Sequence, residues 1–223
     1  ASLLSGASHP PADGQSLLNE FRGEERPYAL QTKRYVEEQT RLRTMAYHDH
    51  LTGLFNRRRI EELLLSIHKT EQLRQTEQSS GDSMAVFFCD IDHFKEINTQ
   101  FGHPAGDAVL KELADLFRQH FRRSDAIGRW GGEEFLVILT YLNRNEVERL
   151  AESFRKLVAT ESFPFVNKLT ISIGISILRE GEKADALVYR ADRALRQAKA
   201  NGRNCWHVCN CMGMPGGDET CTA

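Results

Sequence analysis

Apolar and polar residues alternate along this chain with two different periods, and this pattern predicts a mixed α/β fold. Short runs of apolar and β-branched residues predict strands at 84–90, 125–130, 135–141 and 168–177, with a short fifth strand near 206–208. Apolar residues that recur every three to four positions predict helices at about 56–76, 95–100, 106–121, 146–160 and 183–201. The polar segment from Gln75 to Asp82 predicts an exposed loop. We therefore expect an α/β sheet that contains one antiparallel hairpin and is flanked by helices.

The first 47 residues have a different pattern from the rest. Residues 1–26 are rich in Ser, Gly, Pro and charge, which predicts a flexible linker or disordered arm. The pattern of residues 27–47 predicts a helical linker. Within it, Tyr28, Tyr35 and Leu42 recur every seven residues. This repeat fits the end of a dimerising coiled coil, and it fits equally a single amphipathic helix that packs on its own domain.

Composition narrows the class of protein. The chain has 223 residues, of which 40% are hydrophobic and 27% charged, as expected for one globular domain with flanks. The net charge of −2 gives no basic field, so we expect no nucleic-acid partner. No apolar run reaches bilayer length and no signal peptide is visible. We expect no membrane contact by this segment and a cytoplasmic location, alone or as the cytoplasmic part of a larger sensor or membrane protein.

Most of the cysteines lie near the C-terminus, together with His207: Cys205, Cys209, Cys211 and Cys221. Thiolates and imidazole are zinc ligands, but this spacing matches none of the common paired patterns. We interpret residues 209–223 as a flexible tail with reduced cysteines, and a zinc site is the alternative.

The segment Arg129-Trp-Gly-Gly-Glu-Glu-Phe135 is the most informative stretch of the chain. Two glycines allow a tight reversal, and the apolar run after them predicts a strand, so Glu133 and Glu134 lie at the mouth of a hairpin. Adjacent carboxylates there are either a solvated acidic turn or a site for a divalent cation.

A second acidic element ends the strand predicted at 84–90. Period-two alternation puts Asp90 and Asp92 on one face and Ile91 on the other. If this strand lies beside the hairpin, Asp90 and Glu133 converge and form, with a backbone carbonyl and phosphate oxygens, a site suited to Mg²⁺. The alternative is that these aspartates only end the strand or begin a turn.

The motifs taken together resemble the GGDEF family of diguanylate cyclases over residues 47–208, and we place the domain at 48–208. The matching segments are Asp49 to Arg58, Asp90 to Lys95, Asn98, Gly102-His103, Gly106-Asp107, Gly131 to Phe135 and Lys199 to Asn204. Thr99 departs from the family pattern, which commonly has aspartate there. The resemblance implies a ferredoxin-like palm core of the nucleotidyl cyclase type, with a hairpin that carries the GGEEF signature.

The resemblance also implies an activity: two GTP molecules are condensed into cyclic di-GMP with release of two pyrophosphates. Two domains, each with one GTP, would face each other in a homodimer, with Mg²⁺ or Mn²⁺ as cofactor. By position, Asp90 and Glu133 would bind the metal through side chains and Ile91 through its carbonyl, and Glu134 would support a second metal. Glu133 would also act as the base for the 3′-hydroxyl, and Lys95 would neutralise charge on the phosphates.

The remaining site residues follow from the same resemblance. Asn98 and Asp107, with His103 near them, would bind the guanine and sugar, since they offer the donors and acceptors that guanine needs. As structural alternatives, Asn98 would be a helix C-cap and Asp107 a helix N-cap. Lys199 and Arg203 would hold the triphosphate, although cations near a helix C-terminus are also favoured by the helix dipole.

A regulatory motif is the last feature. Arg122-Arg-Ser-Asp125 is similar to the RxxD site at which the family binds its product, so Arg122 and Asp125 predict feedback inhibition by cyclic di-GMP; Arg155 is a candidate for the arginine contributed by a neighbouring domain. The main alternative function is a non-catalytic module that binds GTP or cyclic di-GMP. A cyclase for other nucleotides is disfavoured by Asp107.

Overall fold

A computed structural model of the chain describes residues 14–77 and 83–209, with side chains for 31–73 and 83–209. The chain divides into two units, with the boundary between Ala46 and Tyr47. Helix α1 (Gly14–Tyr47) accounts for the described part of the first unit. Residues 14–26 are therefore helical, where the sequence predicted an arm without regular structure. The leucines, glutamates and arginines between positions 17 and 26 are strong helix formers, and they outweigh Gly23.

Two side chains of the seven-residue repeat on α1 are exposed, with 65% of Tyr35 and 50% of Leu42 accessible to solvent. No helix within residues 14–77 and 83–209 is long and apolar enough to cross a bilayer. The first thirteen residues of the predicted arm lie outside the described residues.

The second unit contains all of the strands and helices that the sequence predicted for residues 48–208. They are α2 (Arg57–Glu77), β1 (Ser83–Ile91), α3 (Phe94–Phe101), α4 (His103–His120), β2 (Ala126–Gly131), β3 (Glu134–Leu142), α5 (Arg144–Thr160), β4 (Ile171–Ile177), α6 (Ala184–Ala200) and β5 (Trp206–Val208). Helix α4 begins three residues earlier than predicted because proline is accepted in the first turn of a helix, and Pro104 lies there. Helix α2 extends to Glu77, so part of the predicted loop at Gln75 to Asp82 is helical.

The five strands form one sheet in the order β2-β3-β1-β4-β5. Strand β1 is central and pairs antiparallel with both β3 and β4, whereas β5 lies parallel to β4 at the edge. The order of β1, its following helices, β2, β3, α5 and β4 is that of a ferredoxin-like unit. The predicted mixed α/β fold with a palm core is confirmed.

The central strand is buried on both faces, and each face supports a separate apolar core. Phe87 and Cys89 point to the core formed with α4 and α5, and Val86 and Phe88 point to the core formed with α2 and α6. Asp90 continues the second series, so its side chain emerges on the side of α6.

Helix α6 lies unusually close to β4, and this approach determines where its C-terminal end lies. A Cβ atom on Gly174 would overlap the backbone of Ala191 and Leu195. Only glycine permits this contact, which brings the end of α6, with Lys199, next to the end of β1.

Candidate functional site

The candidate site is formed where the central strand β1 ends beside the β2–β3 hairpin. Asp90 lies directly opposite Glu134 of β3, and the N–H of Ile91 is 3.4 Å from the carbonyl oxygen of Glu133. Gly132 and Glu133 form the turn, and Gly132 has a φ of 48°, which glycine adopts without strain. The register pairs Asp90 with Glu134, and Glu133 follows Gly132 in the turn. Glu133 still lies close enough to Asp90 for its charge to raise the Asp90 pKa.

Burial dominates the electrostatics of this carboxylate cluster. Asp90 is only 5% exposed, and burial raises its pKa from 3.8 to about 6 even though the Lys199 ammonium is 2.7 Å from its Oδ2 atom. The nearby Glu133 and Glu134 add to the increase. Burial also raises the pKa of Glu134, against the attraction of Lys199. The cluster therefore carries more negative charge than its lysine neutralises, and an additional cation would stabilise it.

The donor set fits a hard divalent cation that also uses substrate oxygens. Among the described residues, no three His, Cys, Asp or Glu side chains are grouped closely enough to hold a metal by themselves. Two carboxylates and a backbone carbonyl are fewer oxygens than Mg²⁺ takes, and Mg²⁺ commonly fills its octahedron with water and phosphate oxygens.

An ion pair that the sequence analysis missed braces the hairpin. Arg129 donates from Nε to the carbonyl oxygen of Gly132 at 2.9 Å and pairs through Nη1 with Asp49 at 3.2 Å. Burial opposes ionisation of Asp49, but hydrogen bonds from the Thr52 N–H and hydroxyl, together with Arg129, bring its pKa below the usual value. The only signal in the sequence is the spacing of Asp49 and Thr52, which is typical of a side-chain turn.

A cleft of about 560 Å³ lies beside the hairpin tip. Its lining residues are Phe94, Lys95, Asn98, Thr99, His103, Gly132 and Glu133. The cleft thus brings together four of the predicted site residues, from α3, α4 and the hairpin.

Asn98 and Asp107 do not cap helices, so both structural alternatives for them were wrong. Asn98 lies inside α3 and Asp107 inside α4, and Gly102 is the capping residue between the two helices. The Asn98 side chain lies against Gly106, where a Cβ atom would overlap its Oδ1. Asp107 is exposed on α4, one turn beyond His103.

The two predicted phosphate-binding cations lie at the end of α6. Lys199 is in the last turn and pairs with Asp90, and Arg203 is exposed in the following loop with a φ of 63°. Asp92, which the sequence placed on the same face as Asp90, is 4% exposed and fully hydrogen-bonded. The two aspartates therefore have different surroundings despite their spacing.

A second cleft, of about 380 Å³, contains Arg122 and Asp125. The two residues lie in the turn after α4, where the N–H of Arg122 donates to Oδ2 of Asp125 at 2.9 Å, and burial raises the pKa of Asp125. Arg149 of α5 also lines this cleft, which sequence reasoning missed. Arg155 instead donates to Glu152 and to Asn204.

The C-terminal cysteines are described only in part. Cys209, which the sequence assigned to the tail, is buried and donates its N–H to Ile175, while its carbonyl accepts from Arg190. The ordered domain therefore includes residue 209. Cys205 and Cys209 are free thiols, and residues 210–223, with the other two tail cysteines, lie outside the described residues.

Comparison with known proteins gives one consistent family. The sequence model described as "Diguanylate cyclase, GGDEF domain" matches residues 46–205. The chain is 40% identical over 166 residues to the response regulator PleD of Caulobacter vibrioides, covering 72% of this chain and 35% of PleD. It is 39% identical over 173 residues to diguanylate cyclase DgcP of Pseudomonas aeruginosa, covering 76% of this chain and 24% of DgcP.

Other similar proteins extend this comparison. Cyclic di-GMP phosphodiesterase NbdA of Pseudomonas aeruginosa is 36% identical over 168 residues, which cover 73% of this chain and 20% of NbdA. The chain thus spans 20–35% of the length of these three relatives. The coiled coil and GGDEF domain of DgcB from Caulobacter crescentus, in complex with cyclic di-GMP, superposes with a TM-score of 0.74 at 25% identity, covering 84% of this chain and 98% of that one.

Because the Asp90 carboxylate is buried at the end of β1, we expect its charge to lower the free energy of unfolding. We expect Asp90→Asn to raise the free energy of unfolding at pH 7 by on the order of 1–3 kcal/mol, because it removes a charge that burial disfavours. The pKa of Asp90 is higher in the folded chain (about 6) than its ordinary 3.8, so folding is favoured by its protonation. The stabilisation should therefore be absent below pH 4, grow through pH 4–6 and be complete above it.

Thermal unfolding of both proteins across pH 3.5–8 measures this difference, with the exposed Glu38→Gln as a control that should show no such growth. A melting temperature for Asp90→Asn that stays at or below the wild-type value at pH 7 would contradict the electrostatic assignment.

Proposed function

Because this chain belongs to the GGDEF family of diguanylate cyclases, we propose that it condenses two molecules of GTP into cyclic di-GMP with release of pyrophosphate. The observation that carries this proposal is the position of buried Asp90, with Lys199 at 2.7 Å, beside a GGEEF hairpin and a cleft that contains Asn98. A carboxylate cluster of this kind would bind nucleotide phosphates through a divalent cation, and phosphoryl transfer depends on positioning and charge neutralisation.

The residues of the cluster support a division of roles. Asp90 and Glu133 would hold Mg²⁺ or Mn²⁺ through their side chains and Ile91 through its carbonyl, with Glu134 supporting a second ion. A bound divalent cation supplies neutralisation of phosphate charge and a lower pKa for the attacking 3′-hydroxyl. Glu133, at the tip of the turn and in the cleft wall, would accept the proton from that hydroxyl.

The rest of the cleft would bind the nucleotide. The carboxamide of Asn98 both donates and accepts, and the Asp107 carboxylate accepts from the guanine N1–H and exocyclic amine, with His103 next to them. Lys95, Lys199 and Arg203 would contact the phosphates. Lys199 already neutralises Asp90 in part, so it would be shared between the metal cluster and the triphosphate.

A homodimer would bring two GTP molecules together, since each domain offers one such cleft. Helix α1 supports this proposal because the seven-residue repeat exposes Tyr35 and Leu42, with Met45 68% exposed. Covering these side chains with a second copy of the helix would form a coiled coil.

Product would bind at the cleft that contains Arg122 and Asp125, and inhibit from there. This cleft and the GTP cleft share no lining residue, so ligand at one can act on the other only as an allosteric effector. Arg149 adds a second guanidinium to the cleft that contains Arg122 and Asp125.

A second candidate function is a non-catalytic module that binds GTP or cyclic di-GMP. The observation that favours it is the 36% identity to NbdA, because NbdA is named for the breakdown of cyclic di-GMP and not for its synthesis. Incubation of the purified chain with GTP and MgCl₂, followed by chromatography of the nucleotides, separates the two. Cyclic di-GMP as product supports the cyclase, and GTP bound but unchanged supports the module.

We expect Glu133→Gln to reduce GTP turnover by at least about a hundredfold while the fold is retained, since removal of a general base alone typically costs that much. The substitution preserves size and hydrogen bonding but removes the charge and the proton acceptor. Initial rates and melting temperature are measured together, with the exposed Glu96→Gln on α3 as a control that keeps its rate. Wild-type turnover by Glu133→Gln would rule out this role.

Specific activity should rise with protein concentration, because two domains are needed for each reaction and dimerisation follows mass action. We expect the rate per subunit to fall on dilution below the dimer dissociation constant and to level off above it. Initial rates over a thousandfold dilution series, with the oligomeric state measured by sedimentation, provide the test. Constant specific activity in samples that are monomeric would contradict the two-domain reaction.

Arg122→Ala should raise the inhibitory concentration of cyclic di-GMP by at least about tenfold, because a charge-assisted hydrogen bond is worth roughly 1.5–3 kcal/mol. Uninhibited turnover should be unchanged. The matched control is Arg123→Ala, since Arg123 is also exposed but does not line the cleft. Superimposable inhibition curves for wild type and Arg122→Ala would show that product does not act through this cleft.

A further inference from the structure

Asp92 lies two residues beyond Asp90, but its carboxyl group is held by a different set of partners. Its Oδ1 accepts from the Ser172 hydroxyl at 2.7 Å, and its Oδ2 accepts from the Thr170 hydroxyl at 2.7 Å and from the N–H of Asn204 at 2.9 Å. The N–H of Asp92 itself donates to the carbonyl of Thr170. All of its described partners are neutral donors, so Asp92 functions here as a buried connector between β1, β4 and the loop after α6.

That loop has an unusual backbone. Gly202, Arg203 and Asn204 all have positive φ, at 103°, 63° and 46°. Two consecutive non-glycine residues in this region are strained, and such conformations persist only where the surroundings hold them. The described contacts that hold the loop are the N–H of Asn204 on Asp92, the Asn204 side chain on Arg155, and the N–H of Arg203 on the carbonyl of Ala198.

The loop carries Arg203 and directly follows the helix end that carries Lys199. The Arg203 side chain is exposed, so the backbone of the loop determines the position from which its guanidinium group reaches a ligand. Asn204, whose N–H donates to Asp92, directly follows Arg203 in the sequence. Asp92 itself lies at the end of β1, next to the metal-binding candidates.

We propose that Asp92 is a positioning residue: it holds the Gly202–Asn204 loop in its strained conformation and thereby directs Arg203 toward the triphosphate of the substrate. The proposal rests on the proposed function only for the identity of the ligand. It accounts for a second aspartate after β1 that does not belong to the metal cluster.

The test is steady-state kinetics with GTP on the full chain. Asp92→Ala removes every contact of the carboxyl group, and we expect the KM for GTP to rise at least about tenfold while kcat changes less. Asp92→Asn should restore the KM to within about threefold, because an amide can place its oxygen toward Thr170 and Asn204 and its NH₂ toward the Ser172 hydroxyl. An unchanged KM for Asp92→Ala would overturn the proposal.

Two further variants separate positioning from general destabilisation. Ser172→Ala removes a donor to the same carboxyl group without affecting the Asn204 contact, so it should lower the melting temperature but leave the KM within about twofold. In an Arg203→Ala background, Asp92→Ala should change the KM by less than about twofold, because the residue through which it acts is gone. An equal rise in KM in both backgrounds would show that Asp92 does not act through Arg203.

Two measurements keep the test decisive if a variant or the activity fails. If Asp92→Ala does not fold, Gly202→Ala disturbs the same loop at its surface, since alanine is strained at a φ of 103°; it should raise the KM in the same way, and an unchanged KM would overturn the proposal. Hydrogen exchange of the Asn204 amide needs no turnover. It should accelerate in Asp92→Ala and not in Ser172→Ala, and equal protection in wild type and Asp92→Ala would contradict the proposal even if the chain makes no cyclic di-GMP.

Discussion

The carboxylate cluster depends on one group, the carboxyl of Asp90, which is buried at the end of the central strand. Burial in the sheet raises the pKa of Asp90 to about 6, close enough to neutrality that the local arrangement of charges decides its state. Lys199 lowers the pKa of Asp90, and the two glutamates of the hairpin raise it. A cluster that is short of positive charge is stabilised by a bound cation.

The requirement for a precise carboxylate cluster explains two features of the surrounding fold. Helix α6 has to approach β4 closely for Lys199 to reach Asp90, and Gly174 makes this approach possible. The hairpin tip also has to be held, although it projects from the sheet. Arg129 holds it by bridging the Gly132 carbonyl and Asp49, a residue eighty positions away in the sequence.

Asp90 and Asp92 are two aspartates of one motif that have different surroundings in the structure. Asp90 lies near a lysine and two other carboxylates, and its charged form is disfavoured by burial and by those carboxylates. Asp92 faces two hydroxyls and a backbone N–H, which satisfy it fully, so it is suited to hold a strained loop in place. The difference arises from the neighbours that the fold brings to each residue, since Lys199 of α6 lies beside Asp90, whereas Thr170, Ser172 and the N–H of Asn204 surround Asp92.

The sequence by itself determined the order of strands and helices within residues 48–208, the fold class and the family, because period-two and period-3.6 patterns are local and the motifs occur in a fixed order. It did not predict the helix at 14–26. Through the resemblance it assigned Glu133, Asn98, Lys95 and His103 to one site, and in the structure these four residues line one cleft. Only the tertiary structure decided that Asp90 faces Glu134, that Asn98 and Asp107 lie within helices rather than at their ends, and that Asp92 is a buried connector. Strand register, the approach of α6 to β4 and the pairing of Arg129 with Asp49 are long-range contacts, and they are set by how the two cores pack on the sheet rather than by any local pattern of residues.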